Sequence, residues 1–385
     1  MSQCIDVIFC VILFKRMFRK LTKLLRNKRS ASQHARENDD SRCGDNTYGY
    51  NTPDDVCTPV KHCMRVHGAV EVTTVAALEM STCLSGSKNG DLAICRICPN
   101  LGRQSMHKWS RHEKEVTKVA YSGDSRELFA SASRDKTICV WRRSGDYGVE
   151  ATLQCCYLGH DQVVSGVALD PSGVQMISGS RDNTVRLWDV ATGQCVRTTA
   201  LAQNVVTDVC WQHTPSSYMV AQSSEDKTVR LWDTRTLHVV ATTAPKQHIQ
   251  TCCAFSHTSD RLCMSASNGF GSRGCEATLW DFRSSAGPVV EFPGHLETVN
   301  GCCFVPSHTQ FIAATCSNDG TVRIWDCDSG KCSASVHIPA SGPLTSVTAS
   351  SSCNLYVASF FAGIQSLHVQ QASTGETHLS HALSF

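Results

Sequence analysis

Short runs in which apolar and polar residues alternate recur through most of the chain and predict β-strands. The clearest group lies between Gly159-His160 and Trp188-Asp189. Residues 163–169 and 175–178 alternate as strands do, a polar turn Ser180-Arg181-Asp182-Asn183 follows, and residues 184–188 form a third run. Asp182 in the turn can accept hydrogen bonds from His160, which in turn reaches Ser178 and the indole N–H of Trp188. Left unpaired inside a sheet, each of these groups would cost free energy.

The pattern repeats. Trp141, Trp188, Trp232, Trp280 and Trp325 are spaced 47, 44, 48 and 45 residues apart. One period before Trp141 stands Cys95, and one period after Trp325 stands His368, each in a strand-like run. Seven units of this kind predict an all-β chain, a seven-bladed WD-repeat β-propeller over residues 58–385. The polar set is complete in three units: His112, Ser131, Asp135 and Trp141; His160, Ser178, Asp182 and Trp188; His295, Thr315, Asp319 and Trp325. The first unit has Asn89 and Cys95 at the Asp and Trp positions, which predicts that its network is absent. The fourth has Ala202 and Gln222 where His and Ser are expected, and the seventh has Ala362 and His368 at the Asp and Trp positions. Residues 60–66 read as a lone outer strand, with 67–96 supplying the other three strands of blade one. Either that segment or residues 378–384 could complete blade seven.

Composition alters this picture at the N-terminus. Residues 15–29 carry eight Lys or Arg and no acid, so the first 29 residues sum to about +7 and the remainder to about −5. A net negative body gives no support for nucleic-acid binding. Residues 5–14 are mostly apolar but too few to span a bilayer. Apolar side chains then recur at helical spacing among the cations, as in a basic amphipathic helix. Peripheral contact with an anionic membrane through Lys15, Arg16, Phe18, Arg19, Lys20 and Leu21 is the expectation. Cys4 and Cys10 could be acylated. A disordered tail, a presequence, or a true start at Met17 are the alternatives. Residues 30–57 are polar and read as a flexible linker. Twenty-three Cys, many in strand-like runs, read as free thiols in a reducing compartment.

Unit five departs most from the repeat. It opens with Lys246-Gln-His-Ile-Gln-Thr251, and its turn is expanded to residues 267–276, with Gly269, Gly271 and Gly274. The opening loop and the turn emerge on one face. His248, Gln250, Phe270, Arg273 and Glu276 are therefore expected to cluster at one rim as a partner-binding site.

These residues resemble one family more closely than WD repeats at large. Lys246-Gln-His-Ile-Gln-Thr251, the expanded turn with Gly274-Cys-Glu-Ala-Thr-Leu-Trp-Asp281, and Ser341-Gly-Pro-Leu-Thr-Ser346 are similar to the WD repeat-containing protein 31 family. The resemblance runs from about residue 72 to 369. It implies a non-enzymatic scaffold in ciliary trafficking beside regulators of small GTPases, in the cytoplasm at the ciliary base or a membrane surface. Some relatives begin Met-Gly, a myristoylation signal, whereas this chain begins Met-Ser.

No catalytic constellation stands out, and neither cofactor nor metal is expected. Cys95-Arg-Ile-Cys98 has metal-ligand spacing but no second pair to complete a site. A different class of function is a cullin-RING substrate receptor, because Asp226-Lys-Thr-Val-Arg-Leu-Trp-Asp-Thr-Arg235 resembles an adaptor-docking box in which Asp233 and Arg235 would make contact. Phosphoinositide binding by the propeller itself would need a basic pocket, which the negative body does not advertise.

Overall fold

The computed structural model describes residues 66–384, with short breaks at 80, 99–102, 124–126, 145–147, 215–216, 284–286, 308–309, 362 and 372–376. The membrane-contact candidates Lys15 to Leu21 lie outside the described residues. Seven antiparallel four-stranded sheets follow one another along the chain, each built from four consecutive strands. The blades occupy residues 72–110, 116–157, 164–200, 206–242, 250–292, 299–337 and 344–384.

Burial follows position in the blade. The second strand is sandwiched and almost wholly buried, completely so in Ile312–Ser317 of blade six, whereas the outermost strand Cys195–Ala200 of blade three is largely exposed. The core lies between blades. Trp188 of blade three packs on Ala130, Ala132 and Val140 of blade two, and Trp325 of blade six packs on Met264, Leu279 and Phe292 of blade five. Many of the cysteines belong to these layers, among them Cys83, Cys263 and Cys316, and the described cysteines are free thiols.

One strand expectation is corrected, and one left open is resolved. Blade one takes its outermost strand from Arg103–Ser110, directly after its third strand, and Val66 begins a turn. Residues 60–65 lie outside the described residues. Blade seven is completed by the C-terminal strand Thr377–Ser384, paired with Ile364–Gln371. No strand is shared between the two ends of the described chain.

A belt of side-chain hydrogen bonds ties each blade to the next. The innermost strand of every blade carries a bulge near its start, at residues 73, 117, 165, 207, 251, 300 and 345. A bulged residue is released from the ladder and its side chain is re-aimed. Here it donates to the first carbonyl of the following blade. Thr73 reaches Val116, Thr117 reaches Val164 and Ser165 reaches Val206, each at 2.5 Å. Thr207 reaches Gln250 and Thr251 reaches Val299, both at 2.6 Å, and Asn300 reaches Leu344 at 2.7 Å. Thr345 returns to Val72 at 2.6 Å and closes the circle.

Candidate interaction site

The upper face, where the second and third strands of each blade turn, is braced by polar networks. In blade three His160 Nδ1 donates to Asp182 Oδ2 at 2.8 Å, Ser178 Oγ lies 2.8 Å from His160 Nε2, and Trp188 Nε1 donates to Ser178 at 2.8 Å. Blade two repeats this with His112, Asp135, Ser131 and Trp141, and blade six with His295, Asp319, Thr315 and Trp325. A fifth member in each was not expected: the hydroxyls of Thr137, Thr184 and Thr321 donate to the same carboxylates at 2.6 Å. Burial opposes charge on Asp135, Asp182 and Asp319, but the His and Thr hydrogen bonds outweigh it and hold these carboxyls well below their ordinary range. The three His rings are sealed inside the blades (His112 5%, His160 6% and His295 1% exposed), so they have no access to a substrate.

The irregular blades improvise. In blade one, expected to lack a network, His67 still contacts Ser85 at 2.9 Å. Blade four substitutes Asn204 for the His and Gln222 for the Ser. Gln222 Nε2 donates to Asn204 at 2.5 Å, Trp232 donates to Gln222 at 2.8 Å, and Arg230 bridges Asn204 and Asp226. The sequence signal was present, two amide side chains eighteen residues apart, but only at a shifted position.

The blade-five residues separate into two groups. Gln250 is a correction: it is fully buried, because it fills the place of the missing His. Ser265 Oγ donates to its Oε1 at 2.7 Å, its Nε2 donates to Ser267 at 3.1 Å, and Trp280 donates to Ser265 at 2.9 Å. His248 is half-buried, and its ring lies so close over Gly274 (φ +66°) that any side chain there would strike it. Glu276 pairs with Lys246 at 2.7 Å. These three hold the loop rather than face outward.

Phe270 and Arg273 do face outward. Phe270 N donates to Arg273 O at 3.0 Å and Arg273 N returns to Phe270 O at 3.3 Å, so residues 270–273 form a small hairpin turned by Gly271 and Ser272 at positive φ. Below it, a Cβ on Gly269 would collide with the Arg273 carbonyl at 2.0 Å, and Gly269 N donates to Gly274 O at 3.0 Å. The tip is fastened to blade six by Ser272 N donating to Leu296 O at 3.0 Å and Thr298 Oγ1 to Gly269 O at 3.2 Å. Phe270 is 80% exposed, the most exposed of the large apolar side chains among the described residues.

On the opposite face Arg235 folds back on Asp233, with Nη2 at 2.6 Å from Oδ2, and lies 5.2 Å from the Tyr218 ring. Among the described residues no group of three or more His, Cys, Asp or Glu side chains is placed to hold a metal.

The WD domain, G-beta repeat family matches residues 103–142, 151–189, 193–233 and 286–326. The chain carries WD40 repeats. Each matched WD40 unit is offset by one strand from a blade, starting at or near the outermost strand of the preceding one. The nuclear distribution protein nudF of Aspergillus flavus is 42% identical over 87 residues, 22% of this chain and 18% of that protein. Eukaryotic translation initiation factor 3 subunit I of Botryotinia fuckeliana is 38% identical over 87 residues, 23% of this chain and 24% of that protein. Pre-mRNA-processing factor 17 of Mus musculus is 28% identical over 229 residues, 59% of this chain and 30% of that protein. The WD40 chain thus spans less than a third of the length of these curated relatives. The WD40 β-propeller domain of Doa1 superposes with a TM-score of 0.65 at 20% identity, covering 82% of this chain and 97% of that one. The fold is a WD40 β-propeller.

Proposed function

We propose that this protein is a non-enzymatic scaffold that captures a protein partner on the upper rim of blade five, and that it works in ciliary or intraflagellar trafficking beside regulators of small GTPases. The observation that carries the first half is the Phe270 tip. A large aromatic ring held out by a hairpin with its own hydrogen bonds has little ordering entropy left to lose on binding. The second half is supported by the likeness of the blade-five opening and turn to WD repeat-containing protein 31. Residues 1–29 would add peripheral membrane contact.

The test is affinity purification of the tagged full chain from ciliated cells, wild type beside Phe270→Ala/Arg273→Glu. Small-GTPase regulators or ciliary trafficking factors recovered with wild type and lost with the double variant are the expected result. Equal recovery of partners by both proteins sinks the assignment to blade five. A cullin adaptor recovered equally by both, and lost on Arg235→Ala, would replace this reading with a ligase substrate receptor.

A further inference from the structure

The upper rim is sorted by chemistry around the Phe270 tip. On one side, Lys246 N donates to Lys227 O at 2.9 Å, which places the exposed turn of blade four against the opening loop of blade five. Lys227 and Arg273 are both exposed, and neither side chain has a hydrogen-bond or ion-pair partner among the described residues. On the other side the surface turns apolar. Leu296, joined to the tip through Ser272, is 57% exposed. Its own N–H is held by Asp319 at 2.9 Å, so that carboxylate is consumed within blade six. Beyond it Gly320 borders Gly342, and Gly342 lies against the ring of Phe361, which is also 57% exposed. Of the carboxylates near the tip, Glu276 and Glu291 are paired with Lys246, and Glu297, next to Leu296, is half-buried; exposed Glu113 and Asp161 belong to the mixed-charge sector of blades two and three, where Leu158 is the apolar exception.

We infer that the rim from Lys227 to Phe361 docks an acidic–hydrophobic protein segment in one direction: carboxylates over Lys227 and Arg273, apolar side chains against Phe270, Leu296 and Phe361. This rests on the reading that the blade-five tip captures protein. The two unpaired cations supply attraction and orientation, and the fixed aromatic and aliphatic side chains supply the buried contact. Small residues between Leu296 and Phe361 leave room for a chain to lie across the rim.

The experiment pans a phage-displayed library of random fifteen-residue peptides against the full chain, then titrates the enriched synthetic peptides by fluorescence anisotropy. Enriched sequences are expected to join Asp or Glu to Leu, Phe or Trp. Lys227→Glu/Arg273→Glu should weaken their binding by about tenfold or more, with a smaller loss at high salt. Leu296→Ala and Phe361→Ala should weaken it without changing the salt dependence. All five positions are exposed, so unchanged thermal unfolding of the variants confirms that binding alone has altered. Enrichment without acidic residues, or binding indifferent to both substitution sets, overturns the inference. So does Phe270-dependent binding to phosphatidylserine vesicles with no peptide enriched, which would assign the rim to a lipid surface. If the affinity purification still depends on Phe270 while the peptides show no acidic preference, the scaffold reading stands and the partner chemistry fails.

Discussion

Thr345 Oγ1 donates to the carbonyl of Val72 at 2.6 Å, across 273 residues of chain. This contact, with Ser346 Oγ accepting from Val75 N and Thr348 Oγ1 from Ala77 N, both at 3.4 Å, joins blade seven to blade one. Apolar packing of Val72, Val75 and Ala77 on Tyr356, Ala358 and Ile364 completes the seam. Thr345→Val removes the donor, keeps the shape, and leaves the Val72 carbonyl with one partner fewer. A loss of about 1–2 kcal/mol in urea unfolding is expected. The same change at Thr117 should cost a similar amount; if only the internal seam responds, the ring does not close through this bond.

Ser178→Ala should cost more than its size suggests. It strips His160 Nε2 and Trp188 Nε1 of their shared partner inside blade three, where neither can reach water. About 2–3 kcal/mol is expected from two orphaned polar groups. Calorimetry of this variant beside Ser178→Thr, which keeps the hydroxyl as Thr315 does in blade six, separates the hydrogen bonds from the packing.

Gln250→Ala and Phe270→Ala should behave oppositely. The first leaves Ser265 and Ser267 without the amide and should destabilise the protein by about 1–3 kcal/mol. The second trims an exposed ring and should leave the midpoint of unfolding within about 0.5 kcal/mol of wild type. A destabilised Phe270→Ala would mean the ring packs on its own blade.

Acid should weaken the fold in two windows. Burial, with Lys108 nearby, lowers His67 from 6.5 to about 4, so the native state refuses a proton that the unfolded chain accepts. Stability therefore falls as pH drops from about 6.5 to about 4, by at most about 3 kcal/mol, and His67→Gln should flatten that part of the profile. Asp135, Asp182 and Asp319 titrate lower when folded than when unfolded. Their contribution is present in full above the ordinary carboxylate range and is lost as pH falls through and below it. Urea unfolding at intervals from pH 8 to pH 3 reads both windows.

Much of this was legible in the sequence. Recurrent Trp-Asp and Gly-His pairs give the blades because strand alternation and buried polar satisfaction both leave marks on residue type. The position of Gln250 was not legible, since a side chain two residues beyond His248 looks like part of an exposed loop until the strand Gln250–Phe255 begins at it. Asn204 was missed for the same reason: it performs the work of a His from a shifted place in the chain. The belt was visible in principle as a Thr, Ser or Asn following the first buried residue of each innermost strand. Hydroxyl residues are common enough in strands that only the bulge geometry gives the pattern meaning.

The four-consecutive-strand construction of every blade has a consequence for how the protein is made. Each sheet needs only neighbours in sequence, so a blade can pair its strands as soon as it leaves the ribosome, and contact order within it stays low. Only the last seam spans the whole ring. Until blade seven is synthesised the growing chain is an open crescent with two unsealed ends, and that interval is when a chaperone would have most to protect.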